Sequence, residues 1–253
     1  MITRGIDPQR IEALHLRCTQ PVEELAYDGW LVRRAPNDVK RARSVNAVHA
    51  STKPMAEKIE HCERLYAEAG LPPLFRITPF APASLNADLA ARGYERIDHT
   101  LQQVATLDHP LRWPDAGVRV GALALQGWLP IAGTMRTITA ETQAAELRRL
   151  EHSPLPLTGA LAYAGATPVA CGLMALDGVF AAPMDIFVAE AWRGRGIGTA
   201  ITGWLLEHAR ANGAGTAWLN VLADNAPALR IYARLGFRTL YEYWYRVKPL
   251  ATS

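Results

Sequence analysis

Residues 186–200, IFVAEAWRGRGIGTA, decide the fold: an apolar run with strand character passes into a glycine-rich turn and then into a helix. Met184, Ile186 and Val188 alternate with Asp185 and Phe187, as on a strand. Glycines at 194, 196 and 198 carry no Cβ, so a ligand can approach the backbone closely and positive φ costs little. Beyond them Ile197, Ala200, Ile201, Trp204, Leu205 and His208 recur at the spacing of one helical face, and Gly213 after Asn212 supplies a stop. Such a turn directs free amides of its own and of the first helical turn at an anion, here read as a pyrophosphate.

Spacing separates three families of glycine turn. A phosphate loop of the NTPase type needs Lys-Ser or Lys-Thr after its last glycine, whereas Thr199 and Ala200 follow Gly198. A dinucleotide fingerprint needs G-x-G-x-x-G, which Gly194, Gly196 and Gly198 do not provide. What stands here is Arg193-Gly194-Arg195-Gly196-Ile197-Gly198, an Arg/Gln-x-x-Gly-x-Gly pattern. It resembles the coenzyme A loop of the GCN5-related N-acetyltransferases (GNAT).

A second stretch strengthens the resemblance. Asn225-Ala-Pro-Ala228 is followed by Tyr232, seven residues after the asparagine, and by Gly236-Phe237. Taken alone, Asn225 is a good N-cap with Pro227 tolerated in the first turn, and Tyr232 shares a face with Ala228, Leu229 and Leu235. In the family such an asparagine contacts the cofactor and such a tyrosine faces the thioester sulfur. The resemblance therefore implies that Asn225 binds acetyl-CoA together with Arg193, Gly194, Arg195, Gly196, Ile197, Gly198 and Thr199, and that Tyr232 is catalytic. It also implies that backbone groups of Ile186, Phe187 and Val188 pair with the pantetheine arm and polarise the acetyl carbonyl. Removing one such oxyanion donor commonly costs about 3–4 kcal/mol.

Proton management is the open part. An alkylamine of pKa ~10.4 pays about 4.6 kcal/mol to lose its proton at pH 7, whereas a thiol leaving group of pKa ~8.5 asks roughly 2 kcal/mol of an acid. Many relatives hold a Glu on the strand before the asparagine motif; the corresponding residue here is Asn220, which takes no proton. Asp185 and Glu190 are the nearest carboxylates in sequence and read first as a strand-surface and a loop acid. A water chain or an acceptor of low pKa removes the need for a base. Cys171 belongs to neither motif, so the expected reaction is direct acetyl transfer to an amine, with no acyl-enzyme. The acceptor is expected to be a small molecule before a protein. A longer acyl-CoA, or coenzyme binding for regulation without turnover, are the alternatives.

The chain has 253 residues and a formal net charge of +3 with pI near 8.8, too mild a balance to imply a nucleic-acid partner. The densest basic stretch, Arg33, Arg34, Lys40, Arg41 and Arg43, reads as a solvated strand and loop surface. Three separated cysteines, Cys18, Cys62 and Cys171, read as small buried hydrophobes, and seven scattered histidines give no metal motif. No apolar run approaches the ~20 residues of a membrane span, and residues 1–10 lack the apolar segment of a signal peptide, so the expectation is a cytoplasmic protein without membrane contact. Oligomeric state is not written in the sequence.

Both halves follow one order of elements. Gly70 and Gly213, Gly93 and Gly236, and Val104 and Val247 are each 143 residues apart. Displaced by the same offset, the glycine loop falls on Ala50-Ser-Thr-Lys-Pro-Met55, which has no glycine and a proline where a donor is needed; Tyr232 falls on Leu89 and Asn225 on Pro82. The expected architecture is α/β (α+β): two GNAT-like domains, each a mixed, mostly antiparallel sheet flanked by helices. Residues 1–107 form the degenerate domain, which builds a substrate wall, and residues 108–253 the acetyl-CoA-binding catalytic domain, with 108–114 as linker.

Overall fold

The computed structural model describes residues 5–19, 21, 23–35 and 39–249; residues 1–4 of the amino-terminal stretch read above for a signal peptide lie outside it. In chain order the elements are α1 (Pro8–Cys18), β1 (Glu23–Tyr27), β2 (Trp30–Arg34), β3 (Val45–Ala47), α2 (Met55–Glu68), β4 (Leu74–Ile77), α3 (Leu85–Ala91) and β5 (Glu95–Thr106). There follow β6 (Arg119–Leu123), α4 (Leu125–Met135), α5 (Ala140–Glu151), β7 (Leu157–Ala164), β8 (Thr167–Asp177), β9 (Phe180–Val188), α6 (Ile197–Ala211), β10 (Thr216–Leu222), α7 (Ala226–Arg234) and β11 (Arg238–Val247). This is the expected α/β class, with helices on mixed, mostly antiparallel sheet.

Two compact units result, one of Met1–Leu101, Leu222–Asp224 and Tyr241–Ser253, the other of Gln102–Val221 and Asn225–Leu240. The sequence suggests a single cut at 107/108, but the compact units interleave, because β5 and β11 each give one end to either unit. Strand length explains this. The twelve residues of β5 reach roughly 40 Å at about 3.3 Å each, more than one small core is wide.

In the first unit β1 and β2 form the expected hairpin, with Tyr27 opposite Trp30 and positive φ at both turn residues, Asp28 (42°) and Gly29 (80°). Next come β3, antiparallel to β2; β4, parallel to β3; and β11, antiparallel to β4. Trp30, Phe75, Ile59, Cys62 and Tyr66 are buried. Beneath α1 lies a buried ion pair: the Arg76 guanidinium donates to both Glu12 carboxylate oxygens, stacks 4.0 Å from the Tyr243 ring, and Tyr241 Oη donates to Glu12 Oε2 at 2.6 Å.

The basic stretch is not the solvated surface expected. Arg33 is 4% exposed and donates to the carbonyls of Leu16 and Thr19 and to Glu24; Arg34 donates to Leu65 O and pairs with Glu23; Lys40 pairs with Asp98. Charge counting missed this because main-chain carbonyls, invisible in composition, accept from the Arg33 and Arg34 guanidinium groups.

In the second unit β6, β7, β8 and β9 form an antiparallel meander and β10 joins β9 in parallel. Trp128, Leu129 and Ala132 of α4 and Leu150 of α5 pack with Leu161, Cys171 and Leu173 on one face, and one terminal nitrogen of Arg136, after α4, donates to both carboxylate oxygens of Glu146 of α5. Packed on β8 and β9, α6 is buried beyond a single stripe, because residues 108–114 do not behave as a linker. Leu111 N donates to Glu207, and the Trp113 ring lies where a Cβ on Gly203 would sit, 2.5 Å away.

The four helix ends named by the repeat share one geometry. Leu71 N donates to Tyr66 O and Gly70 N to Ala67 O; Ala214 N donates to Ala209 O and Gly213 N to Arg210 O. Tyr94 N with Leu89 O, and Phe237 N with Tyr232 O, repeat the arrangement around Gly93 and Gly236. All four glycines have positive φ, so each helix is closed by a Schellman cap.

Candidate active site

A bulge in β9 sets the site. Cys171 of β8 pairs with Phe187 and Leu173 with Met184, so Asp185 and Ile186 together oppose Gly172. Asp185 takes φ +52°, which an aspartate tolerates where a branched residue would not. Gly172 makes the room: a Cβ there would stand 2.7 Å from Ile186 Cδ1 and 2.8 Å from Leu205 Cδ1. Ile186 therefore points to the α6 face and Phe187 to the Cys171 face. The extra residue bends β9, and Pro183 has no N–H to add to a ladder. The parallel register with β10 accordingly ends at Ala181 and Ala217, and the backbone of 182–188 runs on without a β10 partner in it.

After β9 a 3-10 turn at Glu190–Trp192 leads into the glycine turn. Gly194 and Gly196 take φ +76° and +81°, and nothing lies within 4 Å of a Cβ on Gly194. Gly196 is the N-cap of α6 and, without a side chain, leaves the first-turn amides uncapped. Among the described residues no acceptor meets the amides of residues 194–199. Arg193 Nε donates to Val188 O at 3.2 Å, and an Arg195 terminal nitrogen donates to Ala191 O at 3.2 Å while the guanidinium stands 4.8 Å from the Trp192 ring. Both arginines thus brace the turn.

Gly198 has a different task from its two neighbours. It is buried in the first turn of α6, and a Cβ there would come within 2.8 Å of Ile231 Cδ1 and 3.6 Å of Val188 Cγ2. That contact brings the end of β9, the start of α6 and the middle of α7 together, beside Tyr232. Ile197 and Thr199 are buried under the same turn.

Asn225 caps α7, its Oδ1 accepting from Ala228 N at 3.2 Å, as its residue type predicts. Tyr232 is half-buried, with its ring edge-on to Phe237 at 5.7 Å. Burial pushes its phenol above the ordinary tyrosine value, so the hydroxyl holds its proton. The Cys171 thiol is pushed up to about 11 by burial, which keeps it neutral and un-nucleophilic. Asp185 is half-buried and meets no hydrogen-bond or ion-pair partner among the described residues, a consequence of the bulge that alternation in the sequence could not foretell. No group of three or more His, Cys, Asp or Glu able to hold a metal occurs among the described residues, and none of their helices is long and apolar enough to cross a membrane.

Residues 128–237 match the model of the acetyltransferase (GNAT) family. A Bacillus subtilis protein named as an uncharacterized N-acetyltransferase, YobR, is 26% identical over 253 residues, covering 96% of this chain and 99% of its own. Among solved structures, a GCN5-related N-acetyltransferase from Kribbella flavida superposes with a TM-score of 0.70 at 19% identity, over 96% of both chains. A tandem GNAT protein from the clavulanic acid biosynthesis pathway superposes with a TM-score of 0.62 at 16% identity, over 99% of this chain and 98% of its own.

Proposed function

We propose that this chain, whose residues 128–237 match the model of the acetyltransferase (GNAT) family, moves an acetyl group from acetyl-CoA directly to the amine of a small-molecule acceptor. The observation that carries this is the turn at Gly194–Gly196: positive φ at both glycines, open space beside Gly194, and a row of amides at the start of α6 that meet no acceptor among the described residues. Those amides suit the pyrophosphate of coenzyme A, which supplies the acetyl thioester. Asn225 stands at the start of α7, and the edge of Ile186, Phe187 and Val188 away from β8, where the β10 register has ended, offers donors and acceptors to an extended arm.

The chain's own residues then have separate tasks. A backbone N–H past the bulge stabilises charge developing on the acetyl oxygen. Tyr232, held protonated by burial, donates to the departing sulfur. Asp185, half-buried at the bulge, accepts the proton that the amine must lose, in place of the carboxylate absent at Asn220. A neutral Cys171 supports transfer in one step. The first half is a degenerate copy of the same fold: its caps repeat at the 143-residue offset, but the loop before α2 has no glycine and a proline at its N-cap.

The test is release of free coenzyme thiol from acetyl-CoA with a panel of amines, with product identified by mass. Saturable coenzyme binding without turnover on any amine would favour a regulatory binding protein. No binding of coenzyme A or acetyl-CoA would refute the proposal.

A further inference from the structure

The loop before α2 lies at the repeat offset from the glycine turn, Thr52 and Lys53 matching Arg195 and Gly196, yet its amides are not open. Asp28, in the β1–β2 turn, inserts its carboxylate there. Thr52 N donates to Oδ1 at 3.0 Å and Oδ2 at 3.1 Å, Lys53 N to Oδ2 at 2.9 Å, and Thr52 Oγ1 to Oδ1 at 2.8 Å. Lys58 Nζ stands 3.2 Å from Oδ2 on a side chain with no exposure, 4.1 Å from the Trp30 ring, and also donates to Asp28 O and Ser51 Oγ. Ser51 Oγ in turn donates to Asp28 O at 3.0 Å. Two amides, a hydroxyl and a buried ammonium converging on one anion make the donor set of an oxyanion site.

The approach is built in from the β1–β2 side. Asp28 holds φ +42°, and Gly29 brings the turn so close that a Cβ would stand 2.3 Å from Ala50 O and 2.8 Å from His49 O. His49 N and Val48 N both donate to Gly29 O, at 2.9 and 3.2 Å. The equivalent turn before α6 has no such carboxylate against it among the described residues.

We propose that the first unit keeps the anion-binding turn of a coenzyme site and that Asp28 is its resident anion, so that removing this carboxylate opens a site for a free oxyanion such as phosphate. This rests on the first half being a degenerate copy. It makes the loss of coenzyme binding there an occupation from within the chain, beyond the loss of glycines.

The experiment is thermal unfolding of the full chain and of Asp28→Ala in inorganic phosphate against chloride at matched ionic strength. The variant should melt below the wild type in chloride, and phosphate should raise its midpoint saturably by about 2–4 °C more than it raises the wild type's. Adding Lys58→Met should remove that increment. Equal phosphate effects in wild type and Asp28→Ala would overturn the proposal. Should Asp28→Ala fail to fold, Asp28→Asn preserves the shape and removes the charge. Hydrogen bonds from Lys53 and Thr52 hold the Asp28 carboxyl well below the usual carboxylate range, so its contribution is present above pH ~4 and lost as pH falls further. The stability gap between wild type and Asp28→Asn should therefore close in acid, and a gap independent of pH would also overturn the proposal. Acetyl-CoA titration of the wild type reports on the Gly196 turn separately, so failure of the transferase function would be distinguishable.

Discussion

Replacing Gly196 with alanine should weaken coenzyme binding and stability, whereas the same change at Gly198, two residues on in the same motif, should do little to either. Gly196 holds φ +81°, a conformation that costs an L-residue roughly 1–2 kcal/mol. A turn that relaxes to avoid this must be restored on binding, which corresponds to about a 5–30-fold rise in Kd. Gly198 is helical, so alanine there gains roughly 0.5–1 kcal/mol. Its Cβ meets Ile231 Cδ1 at 2.8 Å, the end of a flexible side chain, and displacing that methyl costs about 0.5–1.5 kcal/mol. The two nearly cancel, leaving a net effect within about 1 kcal/mol. Urea unfolding gives the stabilities and calorimetric titration with acetyl-CoA the affinities. If Gly198→Ala lost more of both than Gly196→Ala, the division into a conformational and a packing glycine would be wrong.

Tyr232→Phe should leave coenzyme affinity unchanged and lower kcat by roughly 30-fold, the ~2 kcal/mol that protonating a thiolate of pKa ~8.5 at pH 7 asks of an acid; full activity would remove its acid role. Cys171→Ala should keep turnover, and loss of activity with intact coenzyme binding would point instead to a covalent intermediate. Glu12→Gln leaves the buried Arg76 without its counter-charge and should destabilise the first unit by about 3–5 kcal/mol; a midpoint within error of wild type in urea would contradict this. Burial raises Tyr66, Tyr94, Tyr232, Tyr241 and Tyr245 above the ordinary tyrosine range. The unfolded chain then binds fewer protons than the folded one above pH ~10, so stability should fall as pH rises through that value, and tyrosinate absorbance should appear with unfolding.

Local chemistry was legible in the residues because local chemistry forms it. Asn225 caps α7, Asp28-Gly29 turns a hairpin, and four glycines close helices 143 residues apart through the same pair of hydrogen bonds. Each depends on a few neighbouring residues and on the sign of one φ. Tertiary structure decided what depends on distant partners. It turned the basic stretch inward onto carbonyls of Leu16, Thr19 and Leu65, and laid the supposed linker along α6 through Trp113. It also placed the Asp185 bulge opposite Gly172, separated the tasks of Gly196 and Gly198, and filled the loop before α2 with Asp28. In each case the deciding atoms are main-chain groups or a side chain far away in sequence. Residue type and periodicity state which groups can donate, accept or pack, but only the folded chain brings the partner within reach.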